Sequence, residues 1–198
     1  MTDPNQSITK ANTLYQFFRD ELAEAFDDLG LTPREETQAY LVHLLDRFAR
    51  LDDSNRQAVG FERPAAMMLG DALRGAGDQR IEAYRNLGDA SLFSCGFFEA
   101  YLNRPRALVD ANYYRDMGKN AYAHVESLME FKAPGGAFHR IFDELVRQFD
   151  GVVAAFQRVA GDVHHQRSSS LPTMDRTTQA QLQAILESQW WDGSSDKT

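Results

Sequence analysis

The sequence predicts an all-α protein: a single-domain antiparallel helical bundle of about six helices, followed by a linker and one short C-terminal helix. Three observations support this prediction. Apolar residues recur at spacings of three and four along most of the chain, no alternating strand pattern persists, and glycine or proline marks the ends of the periodic segments. With 198 residues, the chain is long enough for one domain with a substantial core.

The composition is that of an ordinary globular domain, with 43% hydrophobic and 25% charged residues. The single cysteine, Cys95, has no partner for an internal disulfide, and no apolar run is long enough to cross a bilayer. The start, MTDPNQSITK, lacks the basic and then apolar layout of a secretory signal. We therefore expect a cytoplasmic protein with no membrane partner.

The charge balance argues against nucleic-acid binding. The formal net charge is -8, and no run of lysine or arginine offsets it locally. Non-specific binding to DNA or RNA depends on cations that neutralise phosphates. We therefore expect no nucleic-acid partner.

The first two helices are predicted from their apolar stripes and their ends. Gly30 is expected to stop the first helix. The stretch TPREE then predicts a new helix, with Thr32 as N-cap, Pro33 at the first helical position and Glu35 at the capping-box position. The expected buried residues of the first helix are Leu14, Phe17, Phe18, Leu22, Ala25, Phe26 and Leu29, and those of the second are Leu41, Leu44, Leu45, Phe48 and Leu51.

The middle of the chain predicts a short helix and then a long one. The short third helix runs from near Pro64 to Gly75 or Gly77. The fourth runs from about Gln79 to Leu102 and becomes apolar around nearly its whole circumference in the stretch GDASLFSCGFFEAYL. A helix without a polar face is normally buried on all sides. We therefore predict that the fourth helix lies at the centre of the bundle.

The rest of the bundle follows from clear boundaries. Asp110 is the expected cap of a fifth helix over residues 111–131, KAPGG is a turn, and a sixth helix covers about 137–163. The predicted domain organisation is a helical bundle over 1–165, a serine-rich linker over 166–174, a short helix over 175–191 and a disordered tail over 192–198.

Small residues form a stripe on each of two predicted helices. Gly88, Ser91 and Cys95 share a face of the fourth helix, and Gly118 and Ala121 share a face of the fifth. One interpretation is that the two faces nest together, or against a second copy, while the serines bond back to carbonyls of their own helix. The other is that small side chains leave a void for a ligand, lined by Asp89, Ser91, Ser94, Cys95, Tyr114, Tyr122 and His124.

Asp89 is the polar residue that most needs an explanation, because a buried carboxylate is costly without a partner. Arg85, one turn earlier, is the expected ion-pair partner, and the tyrosine hydroxyls of YYRDMGKNAY are further candidates. Cys95 has no histidine or lysine within one helical turn, so we expect an unreactive buried thiol.

The histidines and the motifs give no catalytic or metal site. His124 is expected to be a core residue, and His139 with Asp143 has a spacing that can share a metal but recurs by chance. There is no HExxH, Glu-x-x-His pair, phosphate-binding loop, GxSxG or CxxCH motif. We predict no catalytic residue, no metal site and no cofactor.

The end of the chain carries Trp190 and Trp191 after a short helix. Two indoles there can dock on the bundle or anchor a partner, since tryptophan is favoured at binding hot spots. The predicted function is that of a non-catalytic cytoplasmic interaction or regulatory protein, with a protein partner or a second copy, and self-association is expected through the fourth and fifth helices. The alternative is a ligand- or cofactor-binding helical-bundle enzyme with a pocket between helices four and five.

Overall fold

The computed structural model describes residues 4–50, 64–105, 107 and 109–168, with side chains described for those of them between 14 and 162. The described residues form helices and no strands, which confirms the predicted all-α class. The helices are α1 (Pro4–Leu29), α2 (Glu35–Ala49), α3 (Ala65–Arg74), α4 (Gly77–Phe97), α5 (Glu99–Leu102), α6 (Ala111–Lys132) and α7 (Ala137–Ser168).

The fourth predicted helix lies at the centre, as its composition indicated. α4 packs against α3, α6 and α7, while α1 packs against α2 and α7. Every residue from Leu87 to Phe98 is buried except Ser94, which is half-buried. Phe48 of α2 stacks on Phe93 of α4, with 4.5 Å between the ring centroids. The prediction of a central, wrapped helix is therefore confirmed.

Local signals in the sequence account for several helix ends. Gly30 has a φ of +63° and ends α1, and the amide of Leu31 donates back to the carbonyl of Phe26 at 2.9 Å. The carboxylate of Asp110 accepts from the amide of Tyr113 at 2.9 Å and caps α6, as predicted. Gly135, with a φ of +67°, forms the predicted turn between α6 and α7.

The predicted cap of the second helix is wrong. α2 begins at Glu35, and its N-cap residue, Arg34, makes no capping bond through its own side chain. The buried carboxylate of Glu144 takes this role from α7. It accepts from the backbone amide of Arg34 at 3.1 Å and from the hydroxyl of Thr37 at 2.6 Å. A carboxylate at this position also favours the positive end of the helix dipole.

The predicted fourth helix does not run unbroken to Leu102. It starts at Gly77 and is interrupted at Phe98, where α5 begins after a residue with a φ of -127° and a ψ of 23°. The side-chain amide of Gln157 donates to the carbonyl of Cys95 at 3.3 Å and to Glu99 at 2.6 Å. A bond from α7 thus satisfies a carbonyl that an unbroken helix would have bonded internally.

The last described helix is longer than predicted. α7 continues through Ser168, three residues into the expected linker, and has non-helical dihedral angles at Gln148 (φ -108°, ψ 15°). The remainder of the linker, the predicted short helix with Trp190 and Trp191, and the predicted tail lie outside the described residues.

Candidate functional site

Two neighbouring features are candidates for function: a buried polar cluster around Asp89 and a cavity beside Arg85. Both lie along α4. The aromatic ring of Phe142, on α7, forms part of each, because it packs against Tyr40 and Tyr122 of the cluster and also lines the cavity.

The Asp89 carboxylate is almost fully buried and accepts from three donors. The hydroxyl of Tyr122 donates to Oδ1 at 2.8 Å, and the hydroxyl of Tyr40 donates to the same oxygen at 2.5 Å. Arg47 donates from Nη2 to Oδ2 at 2.6 Å. These charge-assisted bonds offset the cost of removing the carboxylate from water.

The prediction of the partners of Asp89 was partly right. Tyr122 belongs to the predicted YYRDMGKNAY stretch, but the ion-pair partner is Arg47 of α2 and not Arg85. Arg85 instead lies 3.9 Å from Glu82 on its own helix. Tyr40 and Arg47 were missed. Their spacing of seven residues beside the apolar stripe of α2 is the signal that places both on one face.

The cluster tyrosines are neutral donors. Burial, with the nearby Asp89 carboxylate as a further cause, raises the pKa of both Tyr40 and Tyr122 well above the usual value. Neither hydroxyl therefore ionises near neutral pH. The cluster holds α2, α4 and α6 together and presents no free base or nucleophile.

Small residues bring α4 and α6 close together, as one interpretation of the sequence expected. A side chain at Gly88 would overlap the ring of Tyr122 on α6, and one at Gly118 would crowd Ser91 of α4 and overlap Phe149 of α7. The stripes are thus filled within the molecule. The expected serine bonds are not all made, because the buried hydroxyl of Ser91 has no hydrogen-bond partner among the described residues.

Cys95 is fully buried and its thiol faces the carbonyl of Ala111, with 3.6 Å between Sγ and the oxygen. Burial raises the pKa of Cys95 to about 12. The thiolate is the nucleophilic form of cysteine, so this side chain is unreactive near neutral pH.

The other predicted ligand-binding residues differ in their exposure. Tyr114 is buried and Ser94 is half-buried. His124 is exposed, contrary to the expectation of a core histidine, and its ring stacks on Tyr84 with centroids 4.6 Å apart. The structure therefore brings Asp89 and Tyr122 into direct contact and leaves His124 on the surface.

His139 and Asp143 do not face a common partner. Nε2 of His139 lies 2.9 Å from Glu126 and 2.8 Å from Glu130, both on α6, while Asp143 accepts from Arg147 at 2.6 Å. In the part of the chain that the structure describes, no group of three or more histidine, cysteine, aspartate or glutamate side chains could hold a metal ion.

The cavity is a cleft between α4, α6 and α7 that is open to solvent on one side, and it has a volume of about 320 Å³. Its apolar lining comes from Ile81, Met129, Phe138 and Phe142. Arg85 is among its charged lining residues, and its buried Nε has no hydrogen-bond partner among the side chains that the structure describes. The sequence signal for this cavity was weak, because its lining residues are far apart in the chain.

None of the helices in the described ranges is both long enough and apolar enough to cross a membrane. No model of a known protein family, no curated protein and no solved structure matches this chain.

Proposed function

We propose that this chain is a non-catalytic interaction protein that associates with a second copy of itself. The polar groups at the centre of the bundle support the absence of catalysis. Both oxygens of Asp89 are occupied by donors, and burial keeps the Cys95 thiol and the cluster tyrosines protonated. A general base or nucleophile needs a free group whose pKa suits the reaction.

The outer side of α3 is the surface that we assign to the second copy. The small-residue stripes of α4 and α6 are covered within the molecule, so they offer no outer face. On α3, the side chains of Met67 and Leu73 are 56% and 59% exposed. Contiguous apolar surface marks protein contact sites, whereas single exposed apolar residues are common, so the assignment depends on these two side chains being covered together.

One further feature of α3 favours a second copy as the occupant. The charges of Asp71 and Arg74 offset one another, since Arg74 donates to Asp71 at 2.6 Å. Two copies of this face can therefore meet without strong repulsion, despite the net charge of -8.

Sedimentation velocity at micromolar concentration tests this proposal. The wild-type chain should sediment as a dimer, and the double variant Met67→Ser, Leu73→Ser should sediment as a monomer with an unchanged circular dichroism spectrum. Phe131→Ser is the matched control, because Phe131 is 90% exposed on a different helix. A wild-type chain that is strictly monomeric would contradict the proposal.

Ligand binding is a second candidate function, and the cavity between α4, α6 and α7 favours it. The sequence predicted a pocket between its fourth and fifth helices, which correspond to α4 and α6. The cavity has lining residues from both α4 and α6. Its volume of about 320 Å³ falls at the lower end of the range for ligand sites. Because Asp89 is enclosed by its own hydrogen-bond donors, the candidate ligand site is the cavity at Arg85 and not the surroundings of Asp89.

We also propose that the protein works in the cytoplasm. The single buried thiol and the absence of a cysteine pair for a disulfide support a reducing compartment. Fractionation of the source cells would test this, and recovery in a secreted or membrane fraction would contradict it.

A further inference from the structure

The cavity beside α4 combines an apolar wall with Arg85, a cation whose ion pair is weak. Phe138 and Phe142 stand on the α7 side, and Ile81 stands on the α4 side. Aromatic and aliphatic side chains of this kind enclose the apolar body of a small ligand, and a few polar groups orient it. What this cavity selects therefore depends on its charged residues.

The charges around the cavity are unequally paired. Lys132 forms an ion pair with Asp78 across α6 and α4. The ion pair of Arg85 is weaker, because its Nη2 lies 3.9 Å from Oε1 of Glu82. The Glu82 side chain is also 67% exposed to solvent. At that distance a strongly solvated carboxylate gives little stabilisation.

The guanidinium of Arg85 also has unused hydrogen-bonding capacity. Its Nε is buried and has no hydrogen-bond partner within the described part of the chain. A buried donor without an acceptor is unfavourable. Nε is closed off from solvent, so an anion in the cavity would pair with the exposed part of the Arg85 side chain, which is 32% exposed. Guanidinium groups bind carboxylates and similar anions through paired N–H donors.

We propose that this cavity binds a small organic acid with an apolar body, whose anionic group pairs with Arg85. The inference rests on the second candidate function, ligand binding, and names the ligand's chemical class. The apolar body would lie against Phe138 and Phe142. The carboxylate, or a sulfonate in its place, would accept from the Arg85 guanidinium.

Two fluorescent probes of nearly the same shape test this proposal. Anilinonaphthalene sulfonate carries an anionic group, and phenylnaphthylamine has the same ring systems without it. We expect the sulfonate to bind the wild-type chain at one site, and Arg85→Gln to weaken its binding by about tenfold or more. Binding of the neutral probe should be unchanged in Arg85→Gln.

Three further variants define the site. Arg85→Lys keeps the charge and should recover part of the sulfonate affinity, whereas Phe138→Ser should weaken both probes. Arg19→Gln is the matched control, because it removes the same charge from an exposed arginine on α1, away from the cavity. Circular dichroism of each variant verifies that the fold is retained.

The remaining outcomes overturn the inference at different levels. If Arg85→Gln binds the sulfonate as the wild type does, the role of Arg85 is wrong. If the neutral probe binds in a manner that depends on Phe138 and the sulfonate does not, the cavity binds ligands but does not select an acid. If neither probe binds the folded wild-type chain, ligand binding itself is rejected.

Discussion

The ring of Tyr122 occupies the space that a side chain at Gly88 would need. This contact brings α6 against α4 and places the Tyr122 hydroxyl 2.8 Å from the carboxylate of Asp89, one residue further along α4. A close helix contact and a buried hydrogen bond thus depend on the same tyrosine. In the GDASLFSCGFF stretch, the position of Tyr122 therefore explains both why residue 88 is a glycine and how the buried charge of Asp89 is stabilised.

Replacement of Gly88 by alanine should destabilise the protein, although alanine favours a helix by about 1 kcal/mol. The added methyl group would overlap the Tyr122 ring, and overpacking of this kind costs about 1–3 kcal/mol. Urea unfolding followed by circular dichroism measures the difference. Gly161→Ala is the control, because nothing lies within 4 Å of its added methyl group, and it should stabilise the protein. Equal effects of the two changes would refute the close contact.

Replacement of Asp89 by asparagine should lower the free energy of unfolding by about 2–3 kcal/mol. Removal of one partner from a fully buried ion pair costs about 3–5 kcal/mol, and Arg47 is one-third exposed, which reduces this cost. A double-mutant cycle with Tyr122→Phe measures the coupling. We expect the two changes to be non-additive, since Asp89→Asn keeps an acceptor oxygen but removes the charge that strengthens the bond from Tyr122. Additive effects would show that Tyr122 and Asp89 act independently.

The stability should fall as the pH rises above about 9. Burial raises the pKa of Cys95 from 9.0 to about 12, so the folded chain keeps a proton that the unfolded chain releases. The contribution is therefore complete below about pH 9 and is lost as the pH approaches 12, with a slope of up to about 1.4 kcal/mol per pH unit. Tyr40 and Tyr122 act in the same direction from about pH 10 upwards.

Urea unfolding of the wild type and of Cys95→Ala at several alkaline pH values measures the cysteine contribution. Between about pH 9 and 10 the variant should lose less stability per pH unit than the wild type, whatever its stability at neutral pH. Parallel slopes for the two chains would contradict the buried, protonated thiol.

Replacement of Glu144 by glutamine should destabilise α2 by about 1–2 kcal/mol. The Glu144 carboxylate caps this helix through the amide of Arg34 and the hydroxyl of Thr37, and an uncharged amide is a weaker acceptor next to the helix dipole. Glu24→Gln, on the exposed side of α1, should have little effect. Thermal unfolding of both variants provides the comparison, and a Glu144→Gln chain as stable as the control would rule out this cap.

The sequence was sufficient where a signal is local. The central position of α4 follows from the lack of a polar face between Leu87 and Phe98, and the cap at Asp110 lies within three residues of the amide that it binds. The turn around Gly135 is marked by the KAPGG stretch itself. In each case the residues that decide the structure are neighbours in the chain.

The sequence was insufficient where a distant side chain changes the local preference. Thr32 was the better local cap, but Glu144, 107 residues from Thr37, supplies the acceptor. Gln157 likewise binds the carbonyl of Cys95 and accompanies the break before α5. The cluster partner Arg47 and the cavity at Arg85 also depend on which helices meet, and helical periodicity does not contain that information.

Helix α7 is the last of the described helices to be synthesised, and it completes sites on three earlier ones. Its Glu144 binds the start of α2, its Phe149 packs against Gly118 of α6, and its Phe156 packs against Gly96 of α4. A nascent chain that ends before α7 therefore lacks the ring that fills the space at Gly96 and the acceptor for the amide of Arg34. We infer that the earlier helices cannot reach their final packing on the ribosome until α7 has emerged.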